Sequence, residues 1–261
     1  GYKVEHRFHF LLGTVRMGSF RNTSSKIVSL PDAETAFLAA ARYAIHDHPK
    51  DAARSYLAAA WATYCQGKNL DAIRHVAEAI KLSANLAEGH FLLAKLLMHQ
   101  GEPDKAASPL RTAIGKNPAF AIRACADADF CAHKDHVTGV LAQLRSDAGA
   151  CARKALLQLE VHVDRFQRAR NESPRVCQVQ HEWDGRSACA EIRNVMQRNT
   201  YLGYLEAARM IAGQEDDLRK AKLSYLEEAS KNIGRLIATI NDRIRSVQER
   251  EMPWYWSALP H

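Results

Sequence analysis

The feature that most constrains the fold of this chain is an internal repeat with a period of 34 residues. The segment 67–73 (Gly-Lys-Asn-Leu-Asp-Ala-Ile) returns in related form as the segment 101–107 (Gly-Glu-Pro-Asp-Lys-Ala-Ala). The same offset aligns further small and aliphatic residues with one another: Val76 with Leu110, Ala79 with Ala113, and Ile80 with Ile114. Because self-similarity at a fixed period is the mark of repeat architectures, the sequence predicts stacked copies of one helical unit.

The residue types in the repeat have physical reasons. Ala72 and Ala79 recur at helical spacing, and two closely packed helices need small side chains where their axes approach each other. Gly67 and Gly101 stand where the chain must reverse direction, and glycine adopts the backbone conformation of such turns without strain. Each copy is therefore predicted to be a helix–turn–helix hairpin.

The repeat length and the run of alanine, apolar residue and alanine before Pro118 resemble the tetratricopeptide repeat (TPR) family. An irregular upstream copy carries His9-Phe10-Leu11-Leu12-Gly13, which is similar to His90-Phe91-Leu92-Leu93-Ala94. We expect about three repeats and a capping helix in a first domain of residues 1–134. The repeats are expected at roughly 6–49, 53–86 and 87–118.

The resemblance implies a solenoid whose concave face, built from the first helix of each repeat, binds a peptide or a helix of a partner protein. Counting back from the turn glycines places eight residues on that face: Phe10, Leu57, Trp61, Tyr64, Phe91, Lys95, Met98 and His99. Aromatic and methionine side chains suit such a groove because they offer large, adaptable contact areas. The alternative is that other helices of the same chain cover these residues.

The second half of the chain, residues 135–261, has the pattern of long helices. Leu226, Ile233, Ile240 and Val247 recur every seven residues, with Ile237 and Ile244 between them. A heptad of apolar residues indicates a helix seam. We therefore expect a second domain of long antiparallel helices, packed as a bundle or coiled-coil hairpin. One helix is expected to run from near Ser187 to Gly213 and the next to start near Asp216. Self-association through these helices is a further expectation.

Two groups of cysteine and histidine residues are candidates for a zinc site. One group is Cys125, Cys131, His133 and His136, and the other is Cys177, His181 and Cys189. Neither group has the short paired spacing of structural zinc sites, so we expect free thiols and no bound metal. The chain also lacks the glycine-rich loops and the GxSxG and HExxH motifs of common catalytic sites. We therefore expect no catalytic residues and no cofactor.

The charge balance leaves nucleic-acid binding as an alternative. The chain holds 36 Lys and Arg against 29 Asp and Glu, a net charge of +7. The excess is spread along the sequence, and the densest cluster, Arg165, Arg168, Arg170 and Arg175, is interrupted by Glu172. This distribution favours a solvated helix face over a phosphate-binding track. No apolar stretch is long enough to span a membrane, and cysteines without a disulfide pattern indicate a cytoplasmic protein.

Together these features predict an all-α, non-enzymatic scaffold that binds a protein or peptide partner through the concave face of its repeats. A helical repeat that binds nucleic acid is one alternative. Another is a regulatory module of a larger signalling or defence protein whose catalytic domain lies outside this chain, since TPR arrays are often fused to such effectors. The opening Gly-Tyr-Lys without methionine is interpreted as the start of an excised piece of a longer protein or as a tag remnant. The apolar segment 252–256 (Met-Pro-Trp-Tyr-Trp) is expected either to fold back on the helices or to begin a following domain.

Overall fold

The structure is a computed structural model that describes residues 2–18, 27–172 and 183–251. Within these ranges the chain forms ten α-helices and one short 3-10 helix, without a β-strand, which confirms the predicted all-α fold class. The helices form two compact units, Gly1–Leu144 and Arg145–His261. The boundary at 144/145 lies inside a long helix, a little beyond the expected boundary at 134/135. The apolar segment 252–256 lies outside the described residues.

The first unit is built from helical hairpins. Helix α1 packs on α2, α3 on α4, and α5 on α6, and further contacts join α2 to α3 and α4 to α5. A capping segment, defined here as residues 119–133, follows the third hairpin and consists of α7 and a 3-10 helix. The elements are α1 (Tyr2–Arg16), α2 (Leu30–Ala44), α3 (Pro49–Cys65), α4 (Asn69–Leu82), α5 (Ala87–His99), α6 (Pro103–Lys116), α7 (Ala119–Ala126) and the 3-10 helix (Ala128–His133).

The helix boundaries repeat with the period seen in the sequence. Helix α5 ends 34 residues after α3, and α6 begins and ends 34 residues after α4. The two intervening turns also match, because Gly67 and Gly101 have positive φ angles of 78° and 73°. Their backbone amides donate hydrogen bonds to the carbonyls of Tyr64 and Met98, respectively. The two hairpins within residues 49–116 therefore share one local geometry.

The small residues of the repeat lie at the helix contacts, as their spacing predicted. Ala72 and Ala79 on α4 are fully buried, and so are Ala106 and Ala113 on α6. Ala72 belongs to a core cluster that also includes Val76, Leu92 and Leu96. A side chain larger than alanine has no room at these positions without moving a neighbouring helix.

The second unit contains the rest of α8 (Lys134–Glu172), then α9 (Gly185–Gln197) and α10 (Tyr201–Glu251). Its core joins all three helices: Leu159 and Val163 from α8, Ile192 from α9, and Ile211 and Leu218 from α10. No helix among the described residues has the length and apolar character needed to cross a membrane.

One expected helix boundary in this unit is wrong. The helix predicted from near Ser187 to Gly213 is interrupted after Gln197, and the last helix begins at Tyr201 rather than near Asp216. The break has a local cause, because Asn199 adopts a left-handed φ of 49°. The Thr200 hydroxyl then accepts a hydrogen bond from the Gly203 amide at 3.0 Å and starts the new helix.

The expected packing of the heptad residues is also wrong. The core of the second unit includes Ala207, Ile211, Leu218 and Ala221 of α10, and Tyr225 packs against it. Beyond that point the aliphatic side chains at Leu226, Ile233, Ile237, Ile240, Ile244 and Val247 are 48–62% exposed. Within this unit, α10 therefore belongs to the helix bundle only in its first half.

Candidate protein-interaction surfaces

The structure divides the eight residues of the predicted groove into three groups. Phe91, Met98 and Lys95 are buried, with 1%, 2% and 7% exposure. Leu57, Trp61 and Tyr64 are half-buried and pack against the core between α3, α4 and α5. Phe10 and His99 are exposed.

Phe91 is covered by the chain's own capping segment. Its ring centre lies 4.6 Å from that of Phe120 on α7 and 5.4 Å from that of Phe130 in the 3-10 helix. The Arg123 guanidinium lies over the Phe91 ring at 5.3 Å. The expectation that a partner contacts Phe91 is therefore wrong, because the capping segment fills that part of the groove. Burial of three aromatic rings against one another stabilises this arrangement.

Lys95 is held by the same segment. Its Nζ lies 2.9 Å from an Asp127 carboxylate oxygen and 2.6 Å from one of Asp129. The ammonium group also lies over the rings of Trp61 and Tyr64, at 5.3 Å and 5.5 Å from their centres. A buried cation with two carboxylate partners is already neutralised, so the Lys95 charge is bound within the chain instead of facing the groove.

Two further groove residues complete this arrangement, which we call the cap network: Tyr64, Lys95, His99, Asp127 and Asp129. The Tyr64 hydroxyl donates a hydrogen bond to an Asp129 oxygen at 2.5 Å. The His99 Nε2 lies 3.2 Å from the other Asp129 oxygen and 3.2 Å from the Tyr64 hydroxyl. Three side chains predicted to bind a partner thus bind the chain's own capping segment.

The ionisation of the cap network follows from its contacts. Burial alone would raise the pKa of the Asp129 carboxyl, but hydrogen bonds from Lys95 and Tyr64 and the Lys95 charge outweigh burial and lower the pKa to about 2. Burial and the hydrogen bond to Asp129 raise the pKa of the Tyr64 phenol. The network is therefore a cluster of mutually paired side chains that joins α3 and α5 to the capping segment.

Sequence reasoning missed the residues that close the groove, namely Phe120, Asp127, Asp129 and Phe130. A usable signal was present in α5, where Lys95 is the one Lys or Arg and stands in the middle of the apolar segment 91–98. A buried lysine needs a carboxylate partner. The nearest acidic residues after the last repeat are Asp127 and Asp129.

Apart from His99, which is exposed but paired with Asp129, what remains accessible of the predicted groove lies towards α1 and α3. We call this remainder the open groove: Phe10, Leu57 and Trp61. The Phe10 ring packs on Phe37 with a centre-to-centre distance of 5.3 Å and stays partly exposed. Leu57 and Trp61 contribute only the parts of their side chains that the core does not cover.

The candidate metal ligands do not converge in the described part of the chain. Among the residues placed by the structure, no group of three or more His, Cys, Asp or Glu side chains is arranged to hold a metal ion. Cys125 and Cys131 are exposed, and Cys189 is buried between α8 and α9. Burial raises the pKa of the Cys189 thiol. Cys177 and His181 lie outside the described residues.

The second surface is a stripe of exposed side chains along the free half of α10. We call it the α10 stripe and define it by eight residues: Leu223, Leu226, Ser230, Ile233, Ile237, Ile240, Ile244 and Val247. Its seven aliphatic members are each about half exposed. Near its end, Ile240, Arg243, Ile244, Val247 and Gln248 border a shallow recess of about 300 Å³.

A larger recess of about 500 Å³ lies in the second unit between α8, α9 and the start of α10. Its charged lining groups are engaged with neighbours. The Arg193 guanidinium donates to Glu160 at 2.5 Å, and the Arg153 guanidinium lies over the Tyr204 ring at 5.9 Å. Arg193, Glu160 and Arg153 are therefore bound to neighbouring side chains, and we do not assign a charged ligand to this recess.

The basic cluster noted in the sequence lies at the end of α8. Arg165 and Arg168 are exposed, Arg170 is half-buried, and Arg175 lies outside the described residues.

Comparison with known proteins adds no partner or activity. No protein-family model matches the sequence, and no curated protein is significantly similar to it.

Proposed function

We propose that this protein is a non-enzymatic protein–protein interaction scaffold. The observation that carries the proposal is the α10 stripe, a row of seven half-exposed aliphatic side chains and one serine on a long helix. Soluble proteins rarely leave an extended apolar stripe in water unless another protein covers it.

The spacing of the stripe favours a helix as the partner element. Its apolar residues alternate at intervals of three and four, which matches the spacing at which one helix inserts side chains between those of another. A partner in extended conformation would instead present side chains to the stripe at every second residue, which does not match this spacing.

In this proposal the first unit is a rigid body that carries a second, smaller contact face. That face is the open groove of Phe10, Leu57 and Trp61, the part of the predicted TPR-like face that the capping segment leaves accessible. The cap network supports the same view, because its ionisable side chains are already bound to one another.

Site-specific photo-crosslinking in cells that express the protein tests the proposal. A benzoylphenylalanine at Ile240 should form covalent adducts with a protein, whereas the same group at Asp242, on the opposite side of α10, should not. Benzoylphenylalanine at Phe10 tests the open groove with little change of shape. Equal labelling at positions 240 and 242, or no protein adduct at position 240, would rule out the α10 stripe as a docking surface.

A further inference from the structure

We propose that the partner of the α10 stripe is the same stripe on other copies of this chain, in a parallel and in-register coiled coil. This inference rests on the proposed function, since it names the occupant of the same surface.

The stripe follows a heptad repeat without interruption. Leu223, Ser230, Ile237 and Ile244 occupy position a, and Leu226, Ile233, Ile240 and Val247 occupy position d. The register covers three and a half heptads, about 36 Å of helix at 1.5 Å per residue. A strict spacing of 3.5 residues is the pattern of a seam between supercoiled helices rather than of a helix packed on a globular core.

The stripe lies on a different face of α10 from the contacts within the chain. Leu218 and Ala221 pack in the core of the second unit, whereas Leu223 is exposed. Successive residues advance by about 100° around a helix, so Ala221 and Leu223 point about 160° apart. The α10 helix can therefore keep its contacts in the second unit while the stripe contacts other helices.

Charges beside the seam favour a parallel, in-register alignment of identical helices. Lys222 occupies position g and Glu227 the next position e, which are neighbours across the interface of a parallel coiled coil. Both side chains are exposed and can form this pair. In an antiparallel alignment the two residues lie at opposite ends of the stripe, and the pair is lost.

Ser230 is the single polar residue of the stripe, and its position also favours a parallel, in-register alignment. In the parallel register Ser230 faces Ser230 of another copy, where two hydroxyls can bond to each other. A shifted or reversed alignment places the hydroxyl against a leucine or an isoleucine. A single polar residue at position a is a known means of specifying register.

The residues around the recess at the end of the stripe match those that receive a side chain of the facing helix in a coiled coil. Four residues that border it, Ile240, Arg243, Ile244 and Val247, occupy consecutive d, g, a and d positions. In a parallel coiled coil such a set receives the position-a side chain of a neighbouring helix, here Ile244 of another copy. Isoleucine at both a and d favours three strands over two, so a trimer is expected.

Sedimentation equilibrium of the full chain tests the inference. The wild type should approach three times the 29.2 kDa chain mass as concentration rises. The variant Ile237→Asp/Ile240→Asp should sediment as a single chain with unchanged helicity, because both side chains are exposed within the unit. Leu157→Asp, at an exposed leucine of α8 outside the stripe, is the matched control and should keep the wild-type mass.

Cysteine crosslinking tests the orientation. Ser230→Cys should form a disulfide between residues 230 of two copies, identified by peptide mass mapping, whereas Lys231→Cys should not. The wild type supplies the background from the native cysteines. An assembled protein that forms no 230–230 link would overturn the parallel register, and a two-chain mass would overturn the strand number alone.

The two proposals fail in different ways. A wild type that stays a single chain at its highest soluble concentration would overturn the self-association. If benzoylphenylalanine at Ile240 then still captured a different protein, the scaffold function would stand. If it captured none, both proposals would fall.

Discussion

Replacing Lys95 by methionine tests how the capping segment is held on the repeat unit. Methionine keeps the length and apolar body of the lysine side chain and removes its charge. The change leaves Asp127 and Asp129 close together without their shared cation, with side chains 19% and 24% exposed. We expect the first unit to lose stability through this uncompensated charge.

The magnitude can be bounded from burial. Removing one partner of a fully buried ion pair costs about 3–5 kcal/mol, whereas exposed pairs contribute about 0–1 kcal/mol. Lys95 is buried but its carboxylate partners keep some contact with water, so we expect a loss of about 2–3 kcal/mol at neutral pH. For a unit of this size that corresponds to a fall in Tm of roughly 5–10 °C.

The pH dependence gives the prediction a second readout. The pKa of Asp129 is lowered to about 2 from an ordinary value of 3.8, so its carboxylate form stabilises the folded state. This contribution, about 2 kcal/mol, is present above the ordinary pKa and is lost as pH falls towards 2. Lys95→Met should lose less stability on acidification than the wild type, because its Asp129 has a higher pKa when folded.

Urea unfolding at pH 7 and at pH values from the ordinary carboxyl pKa of 3.8 down towards 2 measures both effects. Lys81→Met is the control, because Lys81 is exposed and its ion pair with Glu78 spans 3.7 Å at the surface. The double variant Lys95→Met/Asp129→Asn should be less destabilised than the sum of its single changes. If Lys95→Met unfolds within about 0.5 kcal/mol of the wild type, the ion pairs do not hold the cap and the reasoning is refuted.

Three further predictions concern packing and thiols. Ala106→Leu should cost about 1–3 kcal/mol, since Ala106 is fully buried at a helix contact, and an unchanged Tm would contradict that packing. Ile192→Ala should cost about 2–5 kcal/mol in urea unfolding, because Ile192 is fully buried, whereas Leu157→Ala at an exposed site should cost under about 1 kcal/mol; equal losses would contradict the described core. In the native protein a thiol reagent should modify exposed Cys151 quickly and buried Cys189 only after unfolding, and similar rates at both would contradict the burial of Cys189.

The sequence by itself determined the helical hairpins of residues 49–116, their turns and their repeat period. Gly67 and Gly101 terminate equivalent helices, and Ala72 and Ala106 occupy equivalent buried contacts. These features were predictable because each depends on forces acting within one repeat: the freedom of glycine at positive φ and the need for small side chains between close helices. The break at Asn199 was missed because a left-handed asparagine leaves only a weak sequence signal.

Only the tertiary structure decided which apolar faces are covered. Phe91 was expected to face a partner and is buried by the capping segment, while Ile240 was expected to be buried and is exposed. Helical periodicity identifies an apolar face, but it carries no information about the surface that the face meets. That surface comes from residues distant in the chain, as with Lys95 and Asp127, which pair across 32 positions of sequence.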